Sequence, residues 1–392
     1  MNLQPISLNE RVKAIDIMRG LALFGILIIN MLAFHSPFSY IDPYKWFTGS
    51  VNEGLYAAID IFVQASFYPL FALLFGYGLA MQFMRAEEKG QAFTPLAVKR
   101  LLILLGIGVI HAFLIWYGDI LITYALMGLL LIGMIRLPAS WLVGFGSILY
   151  VIPHFLLLAI MFIAVAMDPN IYVGYMEIES SIQSYQSGSF AEIFSQRLAD
   201  WRASNNFMGF MFLTITILPF LMIGAAAAKW RLIERTEEKK KLWLFLATVP
   251  LLVGLILKST PFLFGKNYAF VYVQDIFGGP LVAVGYAAII ALLAQKNVMQ
   301  KLLSPLAKVG RMSLTTYITQ SVVATFIFYS YGFGLYGEVD VLTGTLIALG
   351  IFVFQLIFAE LWFEKFSKGP LEMLWRKWTY GNNFEKTNNS KR

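Results

Sequence analysis

The sequence predicts an all-α, polytopic integral membrane protein with about ten transmembrane helices and both termini in the cytoplasm. Of its 392 residues, 58% are hydrophobic and only 14% are charged. The apolar residues occur in repeated runs of about 17 to 25 residues, long enough to cross a hydrocarbon core of about 30 Å as helices. A soluble domain of this composition would leave most of its apolar surface in water, so the soluble classes are excluded.

Ten apolar stretches are long enough to be membrane spans. In chain order they lie at residues 15–34, 62–83, 97–116, 119–135, 141–166, 207–228, 243–259, 276–294, 313–331 and 341–362. Together they predict a single transmembrane domain over residues 1–380. The remaining residues, 381–392, have no apolar face and are predicted to form a disordered cytoplasmic tail.

The distribution of basic residues predicts the orientation of the spans. If the N-terminus is cytoplasmic, 25 of the 30 Lys and Arg residues fall in segments that face the cytoplasm. Cytoplasmic loops retain Lys and Arg, so this imbalance favours an even number of spans with both termini inside. The net charge of +7 is then explained by topology and by attraction to anionic lipid, and it does not indicate nucleic acid as a partner.

The longest outer loop, residues 167–206, is predicted to carry an amphipathic helix. Its large apolar residues recur at helical spacing; they are Phe190, Ile193, Phe194, Leu198 and Trp201. A helix of this kind lies on the membrane surface with its apolar side down. The alternative interpretation is a lid over a site.

Several common functional patterns are absent or have a simpler explanation. There is no cysteine, which excludes disulfides and thiolate chemistry. The glycines Gly332, Gly334 and Gly337 match the dinucleotide-binding spacing, but no strand precedes them, so a tight turn explains them better. The three histidines lie on separate spans without ligand spacing, and no metal site is predicted.

Charged residues at the cytoplasmic ends of the spans are candidates for phosphate binding. The basic residues there are Arg19, Lys99, Arg100 and Arg311, and Asp16 lies beside Arg19. Arginine presents a planar fork that fits phosphate oxygens, and ionisable groups at membrane depth usually mark function. The alternative for the i, i+3 pair Asp16 and Arg19 is a local ion pair that anchors the helix end.

The ninth span carries a polar stripe made of Ser313, Thr316, Tyr317 and Gln320. The spacing i, i+3, i+4, i+7 places these side chains on one face of a helix. Such a face must lie against other helices or water, since lipid offers no hydrogen-bond partner.

A candidate general base lies toward the outer side. His111 ends the third span and Asp119 begins the fourth after a short connection, so the two are expected to lie close together. An imidazole oriented by a carboxylate is suited to proton abstraction near neutral pH. The alternative is a buried structural histidine with Asp119 capping the fourth helix. His35 is a second candidate, or an interface residue.

Five segments carry a family resemblance: IDIMRGLALFGILIIN at 15–30, LFALLFGYG at 70–78, IH at 110–111 with GDIL at 118–121, GRMSLTTYITQS at 310–321, and GPLEMLWR at 369–376. They resemble the YeiB-like bacterial membrane proteins, and the last two lie in the region known as domain of unknown function 418. The resemblance covers nearly the whole chain. It implies a multi-pass protein of the bacterial plasma membrane.

The first helix is also similar to that of the membrane sugar O-acyltransferases and of the lysosomal heparan-α-glucosaminide N-acetyltransferase. This resemblance implies transfer of an acyl group from cytoplasmic acyl-coenzyme A, with acetyl-coenzyme A the expected donor, to an acceptor on the far side. The O-acyltransferases have a histidine eleven residues after the arginine, where this chain has Asn30. The N-acetyltransferase uses a histidine in its first outer loop, near the place of His35. Because His111 belongs to the YeiB-like motif, it is the first candidate for the base and His35 the second.

The expected mechanism places the donor phosphates inside and the base outside. The predicted coenzyme contacts are Arg19, Lys99, Arg100 and Arg311 at the cytoplasmic side and Asn30, Tyr317 and Gln320 along the path. The competing function is a transporter or exporter of a small anionic or lipid-like solute, and a third is a non-catalytic partner or sensor. Expected partners are membrane lipids, a small-molecule, glycan or lipid acceptor, and a second copy of the chain.

Overall fold

The computed structural model describes residues 12–168 and 178–380, and within these residues it contains helices and no strands. Eight of the described helices are long and apolar enough to cross a membrane. The predicted class, an all-α polytopic membrane protein, is confirmed. The predicted tail at 381–392 and the first part of the outer loop, 169–177, lie outside the described residues.

The helices follow one another with short connections. In chain order they are α1 (Lys13–His35), α2 (Pro43–Trp46), α3 (Ser50–Phe62), α4 (Phe67–Glu88), α5 (Phe93–Ile110), α6 (Leu121–Met134), α7 (Ala139–Met167), α8 (Ile178–Ser187), α9 (Phe190–Asn205), α10 (Phe207–Lys229), α11 (Lys240–Lys258), α12 (Thr260–Phe264), α13 (Tyr268–Tyr272), α14 (Gly279–Leu293), α15 (Asn297–Leu302), α16 (Ser304–Arg311), α17 (Ser313–Phe328), α18 (Val341–Lys365) and α19 (Pro370–Tyr380). Two π-helical segments, His111–Ile115 and Val273–Gly278, extend α5 and join α13 to α14.

Each of the ten predicted spans overlaps one of these apolar helices. Eight of the spans correspond to the long helices, and the other two correspond to α6 and α17, with 14 and 16 residues. The second of these segments, Ser50–Glu88, is 39 residues long, because α3 precedes the predicted second span with only a short turn between them.

The ninth span, α17, is separated from α16 by a break in the helix. Helix α16 ends at Arg311, and Met312 leaves the helical conformation with φ −114° and ψ 41° before α17 begins. The break exposes the first N–H groups of α17 inside the bundle, where they need partners. Discontinuous helices of this kind frequently border sites in membrane proteins.

Glycines bring two pairs of helices into close contact. A Cβ at Gly76 of α4 would overlap the backbone of Leu221, and one at Gly224 of α10 would overlap the backbone of Leu73. The contact is therefore reciprocal and depends on the missing side chains, as is common where membrane helices pack closely. Helices α1 and α16 meet in the same way through Gly20 and Gly310, which sets Arg311 beside the first helix.

Helix α9 forms where its spacing predicts, and its polar side packs against the bundle. Ile193, Arg197 and Asp200 are buried, whereas Phe190 is 59% exposed and Phe194 is 38% exposed. The reason is that the carboxylate of Asp200 accepts hydrogen bonds from neighbouring side chains inside the protein. The polar side of α9 therefore faces the bundle, and two of its phenylalanines face outward.

The glycines at 332–337 form a turn, as predicted, and not a nucleotide-binding element. Gly334 and Gly337 have φ angles of 66° and 83°, which favour glycine. The N–H of Gly337 donates to the carbonyl of His35 at 2.8 Å, so the turn is tied to the end of α1.

Candidate functional site

A cavity of about 140 Å³ lies among α1, α4, α5, α6, α16, α17 and α19, at the predicted cytoplasmic end of the bundle. Its lining contains four arginines and one acid, namely Arg19, Arg100, Arg311, Arg376 and Glu372. With all five groups ionised the lining carries a net positive charge. A low-dielectric recess with this balance attracts anions, and guanidinium groups suit phosphate or carboxylate oxygens.

Arg100 is held by α19 and α4. Its guanidinium carbon lies 4.2 Å from the centre of the Trp375 ring, and its Nη1 donates to Oε1 of Gln82 at 2.8 Å. The indole Nε1 of Trp375 in turn donates to the Arg100 carbonyl at 3.1 Å. These contacts fix α19 over the cavity and fix the arginine in it.

Arg311 and Arg19 lie on the helices that meet at the glycine contact. The Arg311 guanidinium carbon is 4.1 Å from the centre of the Phe363 ring, and its Nη2 donates to the Ser367 carbonyl at 3.2 Å. Arg19 forms the i, i+3 ion pair with Asp16 at 3.7 Å. The local ion pair and a place in the cavity lining therefore coexist at Arg19.

Glu372 of α19 caps the broken helix. One of its carboxylate oxygens accepts from the N–H groups of Leu314 and Thr315 at 2.7 and 3.2 Å, and the other accepts from the Thr315 hydroxyl at 2.7 Å. The Thr315 hydroxyl also accepts from the N–H of Leu371 at 3.0 Å. The start of α17, which has no side-chain cap of its own, is thus satisfied by α19. Burial raises the pKa of the Glu372 carboxyl, against the effect of these hydrogen bonds.

The hydrogen bonds between Glu372 and the start of α17, called here the Glu372 interlock, predict a stability that depends on pH. Because the folded-state pKa of Glu372 is raised, its contribution is full below the unfolded pKa of about 4.3 and is lost as pH rises through the folded pKa. Glu372→Gln, a neutral mimic, should remove this fall in the thermal midpoint. Thermal unfolding of purified protein across a pH series measures it, with the exposed Glu237→Gln as control. A Glu372→Gln variant with the wild-type pH slope would contradict the prediction.

His111 and Asp119 form a buried pair. His111 Nδ1 lies 2.8 Å from Oδ1 of Asp119, and Oδ2 of Asp119 accepts from the N–H of Ile122 at 2.7 Å. Asp119 therefore orients the histidine and also accepts a hydrogen bond from the first turn of α6. In a neutral imidazole this hydrogen bond to an ionised carboxylate places the proton on Nδ1 and the lone pair on Nε2. His111 Nε2 is buried and has no hydrogen-bond partner among the described residues.

His111 also begins the π-helical segment that ends α5. A π-helical turn widens a helix locally, and such turns are frequent at functional sites. The segment is followed by the extended connection to α6, which turns back into the bundle and carries Asp119. The local backbone thus places the imidazole and the carboxylate face to face.

Tyr317 connects the pair to the cavity. Its hydroxyl donates to the Gly118 carbonyl at 3.1 Å, and its ring centre lies 5.0 Å from that of His111. Tyr317 itself lines the cavity, one helical turn from Ser313. The imidazole therefore lies against a residue that lines the arginine cavity.

His35 lies elsewhere. It is fully buried between Phe47 and Phe328, with ring centres 6.2 and 5.9 Å away, and neither ring nitrogen has a partner among the described residues. Phe328 is eleven residues beyond Tyr317 on α17, a distance of about 16 Å along the helix. The structure therefore does not bring His35 to the cavity.

Three other predicted contacts also lie outside the cavity lining. Lys99 is exposed, and Asn30 is half-buried on α1. Gln320 is buried, and its Nε2 donates to Oε1 of Gln355 on α18 at 3.0 Å. Gln320 thus joins two helices and does not face the recess.

The sequence interpretation missed the contribution of α19. Glu372, Trp375 and Arg376 all line the cavity, yet they follow the last span and were assigned no role. The available signal was the motif GPLEMLWR, in which a proline starts an amphipathic helix with a tryptophan and an arginine side by side. Tyr124 of α6 was missed for a different reason, since an apolar span offers no pattern that marks one tyrosine.

Comparisons with known proteins identify relatives over almost the full length. A family model described as a protein of unknown function, DUF418, matches residues 227–382. Protein YxaH of Bacillus subtilis strain 168 is 35% identical over 398 residues, covering 97% of this chain and 96% of the relative. A 39.9 kDa protein from the amylase 3′ region of Bacillus acidopullulyticus is 29% identical, covering 97% of each chain. YeiB of Escherichia coli K12 is 27% identical, covering 94% of this chain and 96% of the relative. The chain therefore belongs to the YeiB-like family of multi-pass membrane proteins that carry a DUF418 region.

Proposed function

We propose that this protein is a transmembrane acyltransferase of the bacterial plasma membrane that uses acyl-coenzyme A, with acetyl-coenzyme A as the expected donor. One observation carries the proposal: a single cavity has four arginines in its wall and ends at Tyr317, which contacts the buried His111–Asp119 pair. A basic recess suits the phosphates of a coenzyme. An oriented imidazole with a free lone pair suits deprotonation of an acceptor.

The donor would bind with its phosphates against the arginines and its thioester toward Tyr317. The cavity of about 140 Å³ is smaller than the roughly 300–1,000 Å³ of typical ligand pockets. Admission of the whole coenzyme therefore requires α19 to move, since Trp375 and Arg376 of α19 form part of the wall. The Glu372 interlock would hold this helix closed between reaction cycles.

The proposed reaction conserves atoms and charge. His111 Nε2 takes the proton from an acceptor hydroxyl or amine, and the acceptor atom attacks the thioester carbonyl carbon. The carbon–sulfur bond breaks, and the coenzyme leaves as a thiolate that takes the proton back from the imidazolium. Asp119 stabilises the imidazolium through its hydrogen bond to Nδ1, in the manner of a catalytic triad carboxylate.

Donor binding tests the first half of the proposal. We expect Arg376→Gln and Arg311→Gln each to weaken acetyl-coenzyme A binding by about tenfold or more, because each removes a charge-assisted contact to phosphate. Isothermal titration of the purified full-length protein measures the affinities. The matched control is Arg235→Gln, an exposed arginine outside the cavity lining, which should bind like wild type. Absence of binding to wild type, or equal affinities in all variants, would refute the assignment.

One observation favours a second candidate, transport of a small anion. The break at Met312 makes α16 and α17 a discontinuous helix beside the arginines, and transporters commonly build their binding sites at discontinuous helices. Uptake of a labelled anion into proteoliposomes without coenzyme A would support transport. Turnover of acetyl-coenzyme A without uptake would support acyl transfer.

A further inference from the structure

A second basic group is buried near the opposite end of the bundle, away from the arginine cavity. Arg197 of α9 is fully buried, and its Nη1 donates to the Phe113 carbonyl at 2.9 Å. Its Nε and Nη2 atoms have no hydrogen-bond partner among the described residues. The guanidinium therefore keeps two N–H donor atoms for a group that the described side chains and backbone do not supply.

The hydroxyl of a tyrosine in the same region is also buried without a hydrogen-bond partner among the described residues. Tyr329 is fully buried, and its hydroxyl has no partner among the described residues. Its ring stacks on Tyr185 with centres 4.4 Å apart, and it lies within electrostatic range of Arg197. Tyr185 donates to Asp200, one turn after Arg197 on α9. Arg197 and Tyr329 thus belong to one buried cluster.

The carboxylate of Asp200 is engaged by other side chains of this cluster. Its carboxylate oxygens accept from Tyr40, Tyr185 and Gln196 at 2.5, 2.5 and 2.7 Å. A buried donor without an acceptor is destabilising, and more so when it is charged. An anionic ligand with several acceptor oxygens would stabilise this cluster by accepting hydrogen bonds from both the guanidinium and the phenol hydroxyl.

An apolar groove is lined by residues that follow Phe113, whose carbonyl accepts from Arg197. It has a volume of about 650 Å³, and it is lined by Leu114 and Ile115, directly after Phe113, and by Phe190, two helical turns before Arg197 on α9. Other lining residues, among them Val322 and Phe326, are exposed on the outside of the bundle. The groove therefore opens where the bilayer would lie, while Arg197 is buried.

We propose that Arg197, Tyr329 and this groove bind a phosphate-bearing lipid. The phosphate would accept from the Arg197 guanidinium and the Tyr329 hydroxyl, and a hydrocarbon chain would lie in the groove. A free phosphate would satisfy the donors without using the groove, and an uncharged lipid would fill the groove without satisfying the donors. Since Arg197 contacts the segment that carries His111, the lipid would also be the acceptor class for acyl transfer, a step that rests on the proposed function.

Lipid binding can be measured without any acyl transfer. The probe is phosphatidylglycerol titrated onto the delipidated full-length protein, followed by native mass spectrometry, with diacylglycerol and inorganic phosphate in parallel. We expect phosphatidylglycerol to bind wild type at least about tenfold more tightly than either of the other probes. Arg197→Met should lower its affinity by about tenfold or more, and Arg202→Met, an exposed arginine on the same helix, should leave it unchanged.

A second variant distinguishes the loss of a lipid contact from misfolding of Arg197→Met. Tyr329→Phe removes only a hydroxyl without a partner among the described residues, so the fold loses no described contact and lipid affinity should fall several-fold. His111→Gln should retain lipid binding, which separates this site from the proposed chemistry. Equal binding of diacylglycerol and phosphatidylglycerol, tight binding of inorganic phosphate alone, or wild-type affinity in Tyr329→Phe would each overturn the proposal.

Discussion

Replacing His111 by glutamine is expected to lower the rate of acyl transfer from acetyl-coenzyme A by about 10²–10⁴-fold, the usual contribution of a general base. Glutamine can still donate a hydrogen bond to Asp119, but it carries no lone-pair nitrogen that takes up a proton near neutral pH. Donor affinity should stay near wild type, since the arginines remain. Thiol release from acetyl-coenzyme A and titration of the donor measure the two quantities separately.

The control for this substitution is His154→Gln. His154 is also fully buried, but its Nδ1 is paired with the Tyr272 hydroxyl at 2.6 Å, and it does not line the cavity. Its replacement should leave the rate per folded molecule unchanged. A His111→Gln enzyme with full activity would assign the base elsewhere, and loss of activity in both variants would indicate a general effect of removing a buried imidazole.

A large side chain at the contact between α4 and α10 is expected to lower the stability of the protein strongly. Gly224→Leu is expected to separate the two helices or prevent folding, because a side chain there would overlap the backbone of Leu73. Overpacking of this kind costs about 1–3 kcal/mol when side chains can give way, and a backbone carbonyl gives way less readily. We expect a lower thermal midpoint and less monodisperse protein in size-exclusion chromatography.

Gly144→Leu on α7 is the matched control. It is also a glycine within a long apolar helix, but a Cβ there meets no atom within 4 Å. The same substitution should therefore leave the thermal midpoint near that of wild type. A Gly224→Leu protein as stable as Gly144→Leu would show that the helices are not held at the distance that the structure gives.

Much of the fold could be predicted from the sequence, because a helix needs a long run of apolar residues to cross the bilayer. Ten stretches were long enough, and each proved to lie on a helix. The unpredicted elements lie where this constraint is absent. Helix α19 has a polar sequence after the last span, and its position depends on Glu372 meeting the start of α17, a contact between residues 57 and 58 positions apart.

The candidate site was predictable only in part, for reasons of helix rotation and depth. Lys99 and Arg100 were predicted together, yet adjacent residues point about 100° apart on a helix, and only Arg100 faces the cavity. Arg19, Arg311 and Tyr317 were also found, because polar residues in a span are costly and therefore conspicuous. The burial of Arg197 was not foreseen, since the spacing of α9 marks its apolar side and says nothing of hydrogen bonds to its polar side.

Turnover of acetyl-coenzyme A is the direct test of whether this protein is an acyltransferase. Purified full-length protein, reconstituted in bacterial lipid, would be incubated with acetyl-coenzyme A while the free thiol is measured over time. We expect thiol release by wild type, loss of release in His111→Gln, and weaker donor binding in Arg376→Gln. Absence of both donor binding and thiol release in the wild-type protein would contradict it.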